Sequence, residues 1–154
     1  MVYEPVLPVD GQYLGYPVFD GESVVMLVVN FTESAIHILR FLHHQEKTQE
    51  VVRLPLSAVK DCYNLILHPS PLSLTRQPND STFEIIWPEQ IRFAISSRET
   101  LNFRDGDKLY FSIWYEDPDY REETLVRSAQ DGTILERFSG DIRIMPNRER
   151  WLIK

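Results

Sequence analysis

Residues 109–116, with the sequence LYFSIWYE, constrain the fold of this chain more than any other segment. Side chains alternate between the two faces of a β-strand, so Tyr110 and Trp114 share one face while the other face carries Leu109, Phe111, Ile113 and Tyr115. Both faces therefore carry large apolar groups. One face is expected to fill a core, and the second must be covered by another layer or used for binding.

The same two-residue periodicity recurs along the chain and is typical of hairpins. Residues 24–31 and 35–44 are apolar runs separated by a short polar turn, and residues 83–87 and 91–95 repeat this arrangement around a proline. Tight turns are predicted at Asp105-Gly106 and Asp131-Gly132, because these dipeptides suit the positive backbone angles of hairpin turns.

Short strands at this spacing predict an all-β fold. We expect an antiparallel β-sandwich or a closed or partly closed β-barrel, built from consecutive hairpins. One short helix is predicted near residues 56–63, with Ser57 as its cap and with Val59 and Tyr63 four residues apart. The length of 154 residues predicts a single domain over 1–154.

Charge and cysteine content restrict the partners and the compartment. A formal charge of −7 disfavours binding to nucleic acid and to anionic membranes, since both require a cationic surface. Cys62 is the single cysteine, so no intramolecular disulfide can form, and a reducing cytoplasm is the expected location. The first residues show neither the basic nor the apolar region of a secretory signal, and no run is long enough to span a bilayer.

No motif in the sequence identifies a reaction. Ser57 and Lys60 fit a Ser-x-x-Lys pattern, but its companion motifs are missing and a capped surface turn explains both residues. Cys62 could act as a nucleophile, although an isolated cysteine is more often a small buried apolar residue. Gly-rich phosphate-binding loops and Cys-x-x-Cys pairs are missing too, so we expect no cofactor.

Metal binding is also not expected. His37 and His43 lie six residues apart, roughly 20 Å along a regular strand, and His43 and His44 point to opposite faces. The acidic residues between Glu116 and Glu123 lack the spacing of a calcium loop, and we interpret them as a solvated loop.

The aromatic residues carry the functional prediction. We expect a non-catalytic cytoplasmic binding domain that uses an aromatic-rich sheet face or a barrel pocket to hold a protein partner or a small ligand. A homo-oligomer is compatible with this expectation. The candidate binding residues are Tyr110, Trp114, Trp87 and Tyr120.

Two alternatives stay open. The first is a small hydrolase or isomerase with a histidine and a carboxylate in a sheet cleft, for which the candidates are His43, His68, Glu116 and Asp117. The second is a structural component of a larger assembly. Enzymatic activity is the less favoured of these interpretations, because no catalytic motif supports it.

Overall fold

The computed structural model of the protein describes residues 2–145, 147 and 149–154. That part of the chain forms fifteen β-strands and two single turns of 3-10 helix. All the strand pairings described below are antiparallel, so the all-β prediction and the prediction of consecutive hairpins are confirmed. The strands are β1 (Gln12–Leu14), β2 (Val18–Asp20), β3 (Ser23–Asn30), β4 (Ala35–Leu42), β5 (Lys47–Pro55), β6 (Leu65–His68), β7 (Ser73–Asn79), β8 (Thr82–Trp87), β9 (Ile91–Ala94), β10 (Glu99–Asp105), β11 (Lys108–Tyr115), β12 (Arg121–Ser128), β13 (Ile134–Ser139), β14 (Asp141–Ile144) and β15 (Arg150–Ile153).

The prediction of a helix near residues 56–63 is wrong. Only Leu56–Ala58 form a 3-10 turn, and Val59 already has extended backbone angles, with φ −125° and ψ 151°. Val59 is buried in a hydrophobic cluster, and this burial outweighs the weak helical preference of a segment with one apolar i, i+4 pair. Within the described ranges, none of the helical segments has the length and apolar character needed to cross a bilayer.

The alternative of a closed barrel is wrong as well. The sheet that contains β11 has the order β10-β11-β12-β13, so β10 and β13 are its edges. The sheet that contains β3 has the order β1-β3-β4-β5, with β2 also paired to β3, and it is likewise open. A closed barrel would require the edge strands to pair with each other.

The chain divides into two compact units. The first comprises the residues up to Arg76 together with Ile86–Pro88, and the second comprises Gln77–Ile85 and Glu89–Lys154. Each unit has hydrophobic clusters of its own. The expectation of a single domain over 1–154 stays a prediction.

The first unit contains the five-stranded sheet and the β6-β7 hairpin. Strands β3 and β4 form the predicted hairpin, in which Leu27 lies opposite Ile38 and Val29 opposite Ile36. These side chains share one face of the sheet and pack with Leu67 and Leu74 of the β6-β7 hairpin. Alternation along β3 therefore directs one row of side chains into this cluster, as the period of a strand requires.

The second unit contains the four-stranded sheet, the β14-β15 ribbon and the β8-β9 hairpin. Strand β11 is buried on both faces over most of its length. One face carries Phe111, which contacts Phe83 with ring centroids 5.1 Å apart. The other carries Tyr110, which packs with Val126 and Ile142. Tight turns occur at both predicted Asp-Gly dipeptides, where the glycines have positive φ angles of 55° and 76°.

Candidate functional site

The four aromatic residues expected to bind a partner occupy different environments. Tyr110 is buried and stacks on Phe103, with ring centroids 4.4 Å apart and planes 15° from parallel. Trp114 is about half exposed and lies opposite Glu122, which also accepts a hydrogen bond from the exposed Tyr120 hydroxyl. Trp87 belongs to the first unit, where it is half-buried against the hydrophobic cluster. Trp114 and Tyr120 are thus the two candidate residues that have a common neighbour, Glu122.

The candidates for acid–base chemistry are dispersed along the chain. His43 lies in a 3-10 turn after β4 and packs against His44, with ring centroids 3.7 Å apart. His68 is buried at the end of β6, and its Nε2 atom is 2.9 Å from Thr75 Oγ1. The remaining two, Glu116 and Asp117, are exposed residues that follow β11 in the second unit. Residues 2–145, 147 and 149–154 contain no group of three or more metal-ligating side chains placed to hold one ion.

The first unit contains an open groove with a volume of about 560 Å³. Its first wall is formed by residues of β1 with Gly15 and Phe31, and its second by the segment 56–65 that leads from β5 to β6. The buried side chains of Leu27 and Val29 form its floor. This volume is in the range of sites for small organic ligands.

The position of the first wall depends on a close approach of the chain to β3. The amide of Gly15 donates a hydrogen bond to the carbonyl oxygen of Leu27 at 2.9 Å. A Cβ atom on Gly15 would lie 3.1 Å from the Leu27 side chain, which is tighter than ordinary packing. Glycine therefore allows this segment to run against the groove floor.

Two exposed tyrosine residues line the groove. Tyr13 is paired with Val29, is 65% exposed, and contacts Phe31 edge-to-face at 5.5 Å. Tyr63 is 79% exposed. Tyrosine combines a flat apolar surface with a hydroxyl group, which is the combination that binding sites use most. These rings are available for contact without rearrangement of the core.

The two charged side chains at the groove, Asp61 and Lys60, are not equally available to a ligand. Asp61 accepts a hydrogen bond from the guanidinium of Arg76 at 2.7 Å and another from the Tyr63 amide at 3.1 Å. Arg76 is 3% exposed, so the Asp61 charge is neutralised by a buried cation. Lys60 is exposed and has neither a hydrogen bond nor an ion pair with any residue that the structure describes. Lys60 therefore supplies the available charge of the groove.

Cys62 lines the groove as a half-buried thiol. Burial raises the pKa of the Cys62 thiol above its ordinary value of 9.0, the negative charge of Asp61 raises it further, and Arg76 partly opposes both effects. The thiol is therefore protonated at neutral pH. It adds polarizable apolar surface to the groove and no charge.

Sequence reasoning did not identify this groove. Its walls come from residues 13–31 and 56–65, which only the pairing of β1 with β3 and the packing of Val59 bring together. One local signal was present, because Tyr13, Leu14 and Tyr16 surround a glycine near the start of the chain. Comparisons with protein-family models, with curated proteins and with solved structures found no match for this chain.

Proposed function

We propose that this protein is a non-catalytic binding protein and that its first unit holds a small, largely apolar molecule in the groove. The observation that carries the proposal is the groove itself, an apolar concavity of about 560 Å³ lined by two exposed tyrosine residues. Binding sites for small molecules combine such a lining with a few polar groups that orient the ligand. We also propose that the strands of the fold form a two-layered, sandwich-like arrangement.

The proposal also includes a contact surface on the second unit and a cellular location. Trp114 and Tyr120 remain candidates for contact with a protein partner or with a second copy of the chain, since both rings are solvent-accessible. Tyr110 would contribute to such a contact by supporting the sheet from its buried side. A cytoplasmic location is proposed because a chain with a single cysteine forms no intramolecular disulfide, as is typical of a reducing compartment.

The sole cysteine provides a direct test of the groove. Cys62 should react with N-ethylmaleimide in the free protein, and a bound ligand should slow this reaction because Cys62 lines the groove. We expect Nile red, a neutral apolar dye, to give a saturable rise in fluorescence and to protect Cys62 over the same concentration range. Fluorescence without protection of Cys62 would place the dye elsewhere and contradict the proposal.

Surface variants then locate the site. Replacing both Tyr13 and Tyr63 by Ser should weaken dye binding by at least about tenfold, because each exposed ring contributes about 1 kcal/mol of contact. Tyr16→Ser is the matched control, since Tyr16 lies in the same unit, is 94% exposed and does not line the groove. Equal weakening by the control would refute the assignment of the site.

A further inference from the structure

We infer that the ligand of the groove is a monoanion with an apolar body, a single carboxylate joined to one hydrocarbon chain or ring system, and that Lys60 holds its charged end. This inference rests on the proposed function and names the chemical class of the ligand. It follows from the inventory of charges and hydrogen-bonding groups that line the groove.

The first step is the charge at the groove. Lys60 and Asp61 are adjacent in sequence, and both line the groove, but only one of their charges is available. The carboxylate of Asp61 is bonded to the buried guanidinium of Arg76 at 2.7 Å, while Lys60 is exposed and has no ionic partner within the described part of the chain. The groove therefore presents one uncompensated positive charge to a ligand.

The second step is the balance of donors and acceptors. The ammonium group of Lys60 has only donors, and the hydroxyl groups of Tyr13 and Tyr63 can donate as well. Asp61, the carboxylate at this site, is bonded to the Arg76 guanidinium and to the Tyr63 amide, so a cationic ligand would compete with Arg76 for it. Ionised carboxylates only accept hydrogen bonds, so a carboxylate can use the Lys60 and tyrosine donors, whereas an ammonium group finds no unpaired negative charge among the side chains that line the groove.

The third step concerns the number of charges on the ligand. The chain carries a formal charge of −7, which opposes the approach of any anion. One lysine can compensate one negative charge, whereas phosphate groups carrying about two charges require an additional cation. Apolar surface below the charged end then provides the rest of the affinity, through Leu27, Val29 and Val59. A monocarboxylate fits this balance better than a phosphorylated ligand.

The test compares three probes with the same hydrocarbon chain, namely dodecanoate, 1-dodecanol and dodecyltrimethylammonium. The two ionic probes are used below their micellar concentrations and dodecanol below its solubility limit. Affinity is measured by calorimetry and by the ratio of Cys62 alkylation rates with and without probe, so that a change in intrinsic thiol reactivity cancels. We expect dodecanoate to bind about fivefold more tightly than dodecanol, the upper end of what an ion pair with an exposed lysine provides, and dodecyltrimethylammonium to bind weakest.

Variants of the lysine separate the two proposals. Lys60→Gln should remove the preference for dodecanoate and leave the affinity for dodecanol unchanged, and Lys60→Arg should retain the preference. Lys47→Gln is the control, because Lys47 is an exposed lysine of β5 that does not line the groove. Equal binding of dodecanoate and dodecanol, unaffected by Lys60→Gln, would overturn the inference while groove binding stands. No protection of Cys62 by any of the three probes would overturn both.

Discussion

The ion pair between Arg127 and Glu99 in the second unit allows a quantitative prediction. The Arg127 guanidinium donates two hydrogen bonds to the Glu99 carboxylate, at 2.8 and 2.9 Å, and a third to the carbonyl oxygen of Gly132 at 2.7 Å. Glu99 is 3% exposed, and its carboxylate also accepts the Ser96 amide at 2.9 Å. Two opposite charges are thus largely removed from water and are satisfied by each other and by one backbone group each.

Replacing Arg127 by Met should lower the free energy of unfolding by about 3–5 kcal/mol, because it leaves a buried carboxylate without its counter-ion. Glu99→Leu should be somewhat less costly, since the guanidinium that it leaves unpaired is 11% exposed, against 3% for the Glu99 carboxylate. The double variant should lose much less than the sum of the two single losses, because it contains no unpaired buried charge and fills the space with apolar atoms.

Urea unfolding measures these quantities if the signal is confined to the second unit. The chain has three tryptophans, and Trp87 is the one that belongs to the first unit. A Trp87→Phe background leaves Trp114 and Trp151 as the fluorescent reporters. The reasoning is refuted if Arg127→Met costs less than about 1 kcal/mol, or if the two single effects add in the double variant.

Three further predictions concern the second unit. Thr124→Val should lower the free energy of unfolding by about 1–3 kcal/mol, because the buried hydroxyl donates to the Gly140 carbonyl and accepts the Ile142 amide at the start of β14. Urea unfolding measures this loss, and Thr124→Ser, which keeps the hydroxyl, should cost less. Gly132→Ala should abolish a sharp thermal transition or lower its midpoint markedly, since the new Cβ atom would lie 2.2 Å from Phe93; an unchanged midpoint would contradict the packing described. The hydrogen bonds from Arg104 lower the pKa of Glu89 below its ordinary value of 4.5. The stability that this pair provides is therefore present at neutral pH and is lost as the pH falls through the lowered pKa. Glu89→Gln should flatten the acid limb of a stability–pH profile, and an unchanged limb would contradict this assignment.

The fold was predictable from the sequence where local chemistry decides the structure. Alternating apolar residues marked β3, β4 and β11, and the Asp-Gly dipeptides marked the turns after β10 and β12. The helix prediction at 56–63 failed because Val59 is held in an extended conformation by burial, an effect of tertiary packing that local patterns do not show.

The candidate site was much less predictable. The alternation in β11 correctly showed that Tyr110 shares a face with Trp114, but which part of this face is covered depends on Ile142 of a later strand. The one local signal of the groove, the aromatic residues around Gly15, did not show that Tyr63 lines the same cavity, because strand pairing and packing bring these segments together. The sequence thus showed which residue types could bind a ligand, but it did not show which of them lie close together in space.

The division of the chain into two units limits how it can be dissected. The chain enters each unit twice, since Gln77–Ile85 belongs to the second unit and Ile86–Pro88 to the first. A truncation after Arg76 would remove Trp87 from the cluster that supports β3 and β4, and a fragment starting at Glu89 would lack Phe83. Neither unit is therefore encoded by one continuous stretch of sequence, and a crossover at any single position splits at least one of them.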